Sequence, residues 1–246
     1  EKRIAQNGFF HGLTLLANYT WSKAIDDLPA GAGVEGTPQS AIPFWGTGRH
    51  QFDTGVSDFD HTHLMVLSYN WQLPRFAGSS YLTRAALGNW EMSGILTLQS
   101  GDAITVLAGK DQSQTGLNED RAVLVGAARG TGGCGNTAPC VDWLNPNSFV
   151  LPAIGTFGNV GRNSIRGPGL FNWDMSFFKN VPMSERLRLQ LRAELFNSLN
   201  RVNLMDPGVS PGGTPVSTLS VTSAGFGSIR AAADPRIIQL ALKLFF

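Results

Sequence analysis

Pro235-Arg-Ile-Ile-Gln-Leu-Ala-Leu-Lys-Leu-Phe-Phe246 is the stretch whose reading decides the rest. Its alternate residues Ile238, Leu240, Leu242, Leu244 and Phe246 form an unbroken apolar row, while Gln239, Ala241 and Lys243 occupy the opposite row. A repeat of two with one oily and one wet side is that of a half-buried strand. The same rule sorts the stretch before it, where Leu187, Leu189, Leu191, Ala193 and Leu195 face away from Arg188, Gln190, Arg192 and Glu194. Coiled as a helix, those residues would mix Leu and Arg around the cylinder, so the stretch reads as a strand.

Four further segments obey the same period. Near Leu13 to Ser22, one side carries Leu13, Leu15, Ala17, Tyr19 and Trp21. Near Phe59 to Leu73 it carries Met65, Leu67, Tyr69, Trp71 and Leu73, with Leu64 and Val66 interrupting the polar side. From Asn89 it carries Trp90, Met92, Gly94, Leu96 and Leu98, and a bulge at Gly101 would continue this segment as one long strand to about Ala108. The last has Phe171, Trp173, Met175 and Phe177 opposite Asn172, Asp174 and Ser176.

The connections alternate in length: long from Lys23 to Asp58, short from Pro74 to Gly88, long from Gly109 to Gly169, short from Asn180 to Glu185, long from Ser198 to Asp234. Trp71, Trp90 and Phe246 fall near the short-turn ends of their segments, and Tyr19, Trp21, Phe171 and Trp173 near the long-loop ends. Short turns at one end, long loops at the other and two aromatic girdles on the apolar parity are the signature of an outer-membrane barrel. Composition agrees, since charged residues are 15% of the chain against about 25% in an ordinary soluble domain. No run approaches the roughly 18 apolar residues of a spanning helix, so a membrane would be crossed by strands.

The expected architecture is therefore all-β: an antiparallel transmembrane β-barrel fragment of about six long strands, with long extracellular loops and short periplasmic turns. A sheet in lipid must close, and bacterial single-chain barrels begin at about 8 strands. Six strands then require partners. The sequence opens at Glu1 without an initiator Met or an export signal, so the true N-terminus is expected to be missing.

A resemblance sharpens this. Gly158-Asn-Val-Gly-Arg-Asn-Ser-Ile-Arg-Gly-Pro-Gly169, Asn172-Trp-Asp174, Arg188-Leu-Gln-Leu-Arg-Ala-Glu-Leu-Phe-Asn197, Phe226-Gly-Ser-Ile-Arg230 and Asp234-Pro-Arg236, with Tyr19-Thr-Trp-Ser-Lys23 and Trp90 through Gly101, together resemble the C-terminal part of Oar-like TonB-dependent receptors. The resemblance covers nearly the whole chain. It implies a 22-stranded barrel of the Gram-negative outer membrane, filled by an N-terminal plug domain that lies outside this sequence. It implies that ligand binds extracellular loops and plug, and that TonB acts through the missing plug region. It further implies that the row ending in Phe246 is the signal read by the barrel assembly machinery. The implied partners are outer-membrane lipid, that machinery, TonB and a ligand left open between siderophore, oligosaccharide and peptide, with no cofactor.

Other candidate sites are weaker. Cys134 and Cys140, in a Gly-rich stretch, could close a small loop disulfide in an oxidising compartment or remain two thiols. His61 and His63 have a spacing that can serve zinc but lack an identifiable third ligand, and read as residues of the strand rim. Asp26, Asp27, Asp53, Asp58 and Asp60 supply oxygen ligands without the spacing of a calcium loop, and read as solvated loop acids. Arg162 and Arg166 lie in a glycine-rich stretch that lacks the Gly-Lys-Ser/Thr ending of a phosphate loop, and read as part of a structured return into the next strand. No nucleophile elbow or His-Glu-x-x-His is present, so no enzyme is expected. A formal net charge of +1 without a basic run gives no footprint for nucleic acid. The rival reading is a soluble, secreted β-sandwich that binds carbohydrate on Trp45, Trp143 and Trp173.

Overall fold

The computed structural model describes residues 2–4, 12–27, 48–73, 80, 83, 87–118, 120–132, 141–184, 187–209 and 219–246. Its main element is one sheet of seven strands, β1 (Lys2–Ile4), β2 (Leu13–Trp21), β3 (His63–Gln72), β4 (Trp90–Gln99), β5 (Leu170–Pro182), β6 (Arg188–Phe196) and β7 (Ile237–Phe245). Each strand pairs antiparallel with its neighbour in chain order, so the sheet is a simple meander whose edges are β1 and β7. The strand β1 was not foreseen, because three residues are too few to show a period.

The register joins the six sequence alternations into two faces. Leu15, Tyr69, Gly94, Met175, Leu195 and Ile238 lie abreast across β2 to β7, and Leu13, Trp71, Met92, Phe177, Ala193 and Leu240 form the next row of the same face. On the other face Thr14, Asn70, Ser93, Ser176, Glu194 and Gln239 lie abreast. A slip of one residue in any strand would throw its apolar row onto the polar face. The apolar face is open toward β7, where Leu240 and Leu242 are 77% and 66% exposed.

Three expectations are corrected. The strand from Trp90 does not run on to Ala108 but ends at Gln99, and Ala103–Ile104 instead pairs with Ile165–Arg166. Gly101 forces this, because its backbone lies against Gly167 so closely that a Cβ there would sit 2.1 Å from the Gly167 carbonyl oxygen. In the other direction β5 is longer than its alternation indicated and places Lys179 on the apolar row. The ammonium is accommodated by donating to the Gly88 carbonyl at 2.9 Å and lying 5.0 Å from the centre of the Trp90 ring.

The sandwich is the third. A sandwich needs a second sheet face to face with the first, and the other sheets among the described residues are two-stranded ribbons. Trp143 is no open platform either, since its indole N–H donates to the Arg166 carbonyl at 3.0 Å and the Arg129 guanidinium covers its ring at 3.8 Å. Trp45 lies outside the described residues.

The buried apolar cluster is not in the sheet. Val106, Ala122, Leu144, Phe149, Val160 and Phe226 all belong to the long connections and gather at one end of the strands. Phe149 and Phe226 meet edge to face, with ring centres 5.4 Å apart.

Candidate functional site

The three long connections, between residues 22 and 62, 100 and 169, and 197 and 236, leave the sheet at the same end, and their described residues interlock into a cap. Beside the apolar cluster, ion pairs join them. Arg121, 1% exposed, reaches from the second connection to Asp53 of the first, 0% exposed, at 2.9 Å. The same guanidinium donates to the Phe52 carbonyl at 2.8 Å and lies 3.8 Å over the Phe52 ring. Burial draws the Arg121 pKa down to about 10 with help from the like charge of Arg162, while Asp53 opposes the shift, so Arg121 keeps its charge at neutral pH.

Arg162 makes a second bridge. It donates to the Asp26 and Asp53 carbonyls at 2.9 and 3.1 Å, pairs with the Asp26 carboxylate and lies 4.0 Å from that of Asp58. Arg166 makes a third, to the Asp60 carboxylate, the Asp60 carbonyl at 2.7 Å and Thr62 at 3.0 Å. Burial raises the Asp60 pKa, but the Ala24 amide and the Arg166 guanidinium outweigh it and hold the carboxyl below its ordinary range. Between the two arginines Asn163 adopts φ 52, a left-handed conformation that Asn tolerates better than most residues. It donates to the Val56 carbonyl at 2.7 Å and to Asp58 at 2.6 Å, and exchanges two hydrogen bonds with Thr105.

This corrects the reading of the acids. Asp53 and Asp60 are not solvated but buried, and Asp26, Asp53, Asp58 and Asp60 all face arginines. Only Asp27, beside His50, is solvent-facing as expected. The Gly158 to Gly169 stretch does return into β5, and Arg162 and Arg166 serve it as clamps. A signal existed: the first connection carries a cluster of acids and the second carries four arginines, three of which pair with those acids. What was missing was the pairing across long sequence separation.

The third connection docks on the second through backbone. The Leu107 amide donates to the Leu219 carbonyl, the Val221 amide to the Leu107 carbonyl, and Ser228–Ile229 pairs with Val141–Asp142. Asp206 hydrogen-bonds Asp102, and its carboxylate lies where a Cβ on Gly167 would be, at 1.8 Å. Burial, with the bond to Asp102 and that residue's charge, raises the Asp206 pKa to about 7.

Below the cap the polar face of the sheet is itself hydrogen-bonded. Asn70 donates to Glu91 at 2.8 Å, Gln190 to Asn180 at 3.1 Å, and Arg192 pairs with Glu194 while lying 4.8 Å over the Phe178 ring. Arg188, Gln190, Arg192 and Glu194 thus share this face, with Arg188 at 4.7 Å over Phe245 on the edge strand. Tyr19, Trp21, Phe171 and Trp173 sit at the cap end of the apolar face, and Trp71 and Trp90 at its opposite end. Ile238, Leu240, Leu242 and Leu244 lie on the outer strand, and Phe246 is 98% exposed. His63 opens β3 and its Nδ1 lies 2.8 Å from the Tyr19 hydroxyl, whereas His61 precedes the strand and lies 3.3 Å from Asp102. The two histidines therefore do not converge on one ion. Cys134 and Cys140 lie outside the described residues.

A family model described as outer membrane beta barrel domain matches residues 4–239. No curated protein and no solved structure matches the chain at a significant level.

Proposed function

From the premise that this chain belongs to the outer membrane beta barrel domain family and sits in the outer membrane of a Gram-negative bacterium, we propose that it is barrel wall from the C-terminal part of a TonB-dependent, Oar-like receptor. It serves energy-coupled uptake of a siderophore, oligosaccharide or peptide, without catalysis. The apolar face meets lipid, the polar face lines the lumen, and the cap is extracellular. The observation that carries this reading is the interlocked cap above a polar, hydrogen-bonded wall. A simple anchoring barrel has no use for long loops locked by three arginine–aspartate bridges, one of them fully buried. A receptor needs a preorganised rim, because ordering loops on binding costs affinity.

Among the described residues both sheet edges are unpaired, and backbone groups left unpaired in hydrocarbon cost several kcal/mol each. We therefore place further strands and a plug beside β1 and β7 in the working receptor. Purified full-length gene product should bind the periplasmic domain of TonB, and a site-specific crosslinker on that domain should capture it in cells. Outer-membrane recovery without any TonB crosslink would leave the barrel and remove the receptor.

A further inference from the structure

Early in the second connection the chain reads Asp111-Gln-Ser-Gln-Thr-Gly-Leu-Asn-Glu-Asp120. An EF-hand loop takes calcium ligands from positions 1, 3, 5 and 7, the last through its carbonyl, turns at a glycine in position 6 and closes with an acid at 12. Here Asp111, Ser113 and Thr115 stand first, third and fifth, and Gly116 stands sixth with φ 83. The closing acid, Asp120, comes tenth. The side chains converge as that pattern requires. Asp111 accepts from the Thr115 amide at 3.1 Å and from the Gly116 amide at 2.8 Å. The Ser113 hydroxyl lies 3.3 Å from the Asp111 carboxylate and 3.1 Å from the Thr115 hydroxyl.

The observation that points to an ion is Asp120, which is 1% exposed. One of its oxygens accepts from the Ser113 amide at 2.6 Å, so the carboxyl lies against the loop. The other, Oδ1, is buried and has no hydrogen-bond donor among the described residues. Nor, among those residues, does Asp111 or Asp120 pair with an arginine or lysine, in contrast to Asp26, Asp53 and Asp60. A buried carboxylate oxygen with neither donor nor counter-charge is costly, and a hard cation removes the cost. We propose that this loop binds one Ca²⁺ through the Asp111 and Asp120 carboxylates and the Ser113 and Thr115 hydroxyls. Two charged and two neutral ligands make a weak site, with Kd of about 10⁻⁴–10⁻³ M. Magnesium fits less well, because it demands a near-ideal octahedron and sheds water reluctantly. The ion braces the cap where its parts meet. The Asp120 carbonyl accepts from the Ala108 amide at 2.6 Å, next to the Leu107 that bonds the third connection, and the following residue, Arg121, holds Asp53 of the first.

Full-length gene product in detergent is stripped with EGTA, and amide hydrogen exchange of residues 110–118 is followed while CaCl2 is added. At a calcium concentration ten times Kd, exchange there should slow roughly tenfold, as mass action requires when the ion holds only the closed loop. Asp111→Asn and Asp120→Asn keep the shape and drop the charge, and each should raise the calcium required by roughly tenfold or more. Asp27→Asn, a solvent-facing acid of the same cap, should leave the requirement unchanged. Absence of calcium-dependent slowing in the unaltered protein overturns the proposal, as does equal slowing by magnesium at the same concentration. A silent Asp111→Asn overturns it too. Should either acid variant fail to assemble, Ser113→Ala removes one ligand with both acids in place and should still raise the calcium required severalfold. The comparison of calcium with magnesium on unaltered protein decides in any case.

Discussion

At the scale of single residues, the cap depends on charges that have no water to fall back on. With Asp53 and Arg121 both buried, Asp53→Ala leaves a guanidinium in the interior and should destabilise the cap by about 3–5 kcal/mol. Replacing both residues by Leu should restore much of that, because two apolar side chains carry no desolvation cost. Protease protection of residues 48–62 in isolated outer membranes reads the difference. A double variant as labile as the single one would show that the pair acts through more than its charges. Asp206 gives a pH dependence of opposite sense to that of a paired carboxylate. Its pKa rises from 3.8 to about 7 on folding, so the folded cap holds a proton that the unfolded chain releases. That stability is complete below pH 3.8 and is lost as pH climbs toward 7. Thermal unfolding of the cap should therefore move to lower temperature across this window. Asp206→Asn, which keeps a donor toward Asp102 and cannot ionise, should flatten the profile.

At the scale of strands, the two faces make a sharper test. Leu191 lies abreast of Lys179 and Leu242 on the apolar face, and its neighbour Gln190 lies abreast of Asn180 and Lys243 on the polar one. Leu191→Arg should cost up to about 2–4 kcal/mol, the figure for the bilayer midplane, whereas Gln190→Arg should stay within about 0.5 kcal/mol. Heat-modifiable mobility of the full-length protein measures both, and equal loss would reverse the facing. These faces were legible because alternation is a local property, carried by neighbours such as Leu189 and Gln190. Strand ends were less so. Gly101 looked like a bulge, but the contact that ends the strand is with Gly167, far along the chain. Lys179 hid the last three residues of β5 because a lysine on the oily row breaks the pattern, and Trp90 and Gly88 on the adjoining strand and turn accommodate it. The cap was illegible for the same reason. Arg162 and Asp26 are separated by 136 residues, and no period links them.

At the scale of the whole molecule, the packed core and the sheet are in different places and call for different surroundings. The cap has a small apolar cluster and its arginine pairs, so it can hold its shape in water. The sheet exposes Ile238, Leu240, Leu242, Leu244 and Phe246 along β7 with no strand beyond among the described residues, and on the proposed reading it meets lipid and pairs with further strands. Phe246 makes little contact, so deleting it should scarcely change the melting of an assembled barrel. If the assembly machinery reads it, the deletion should lower the folded population in outer membranes while synthesis is unchanged. The same division governs the 246-residue chain expressed by itself. Its two open edges invite pairing with other copies, and an open sheet cannot stay single in hydrocarbon. Refolded into detergent, it should elute from size exclusion as polydisperse oligomers and show no heat-modifiable monomer. The full-length gene product treated in the same way should give one. A monodisperse, water-soluble monomer of the short chain would mean that its exposed rows are covered from within, and the wall reading would fall with it.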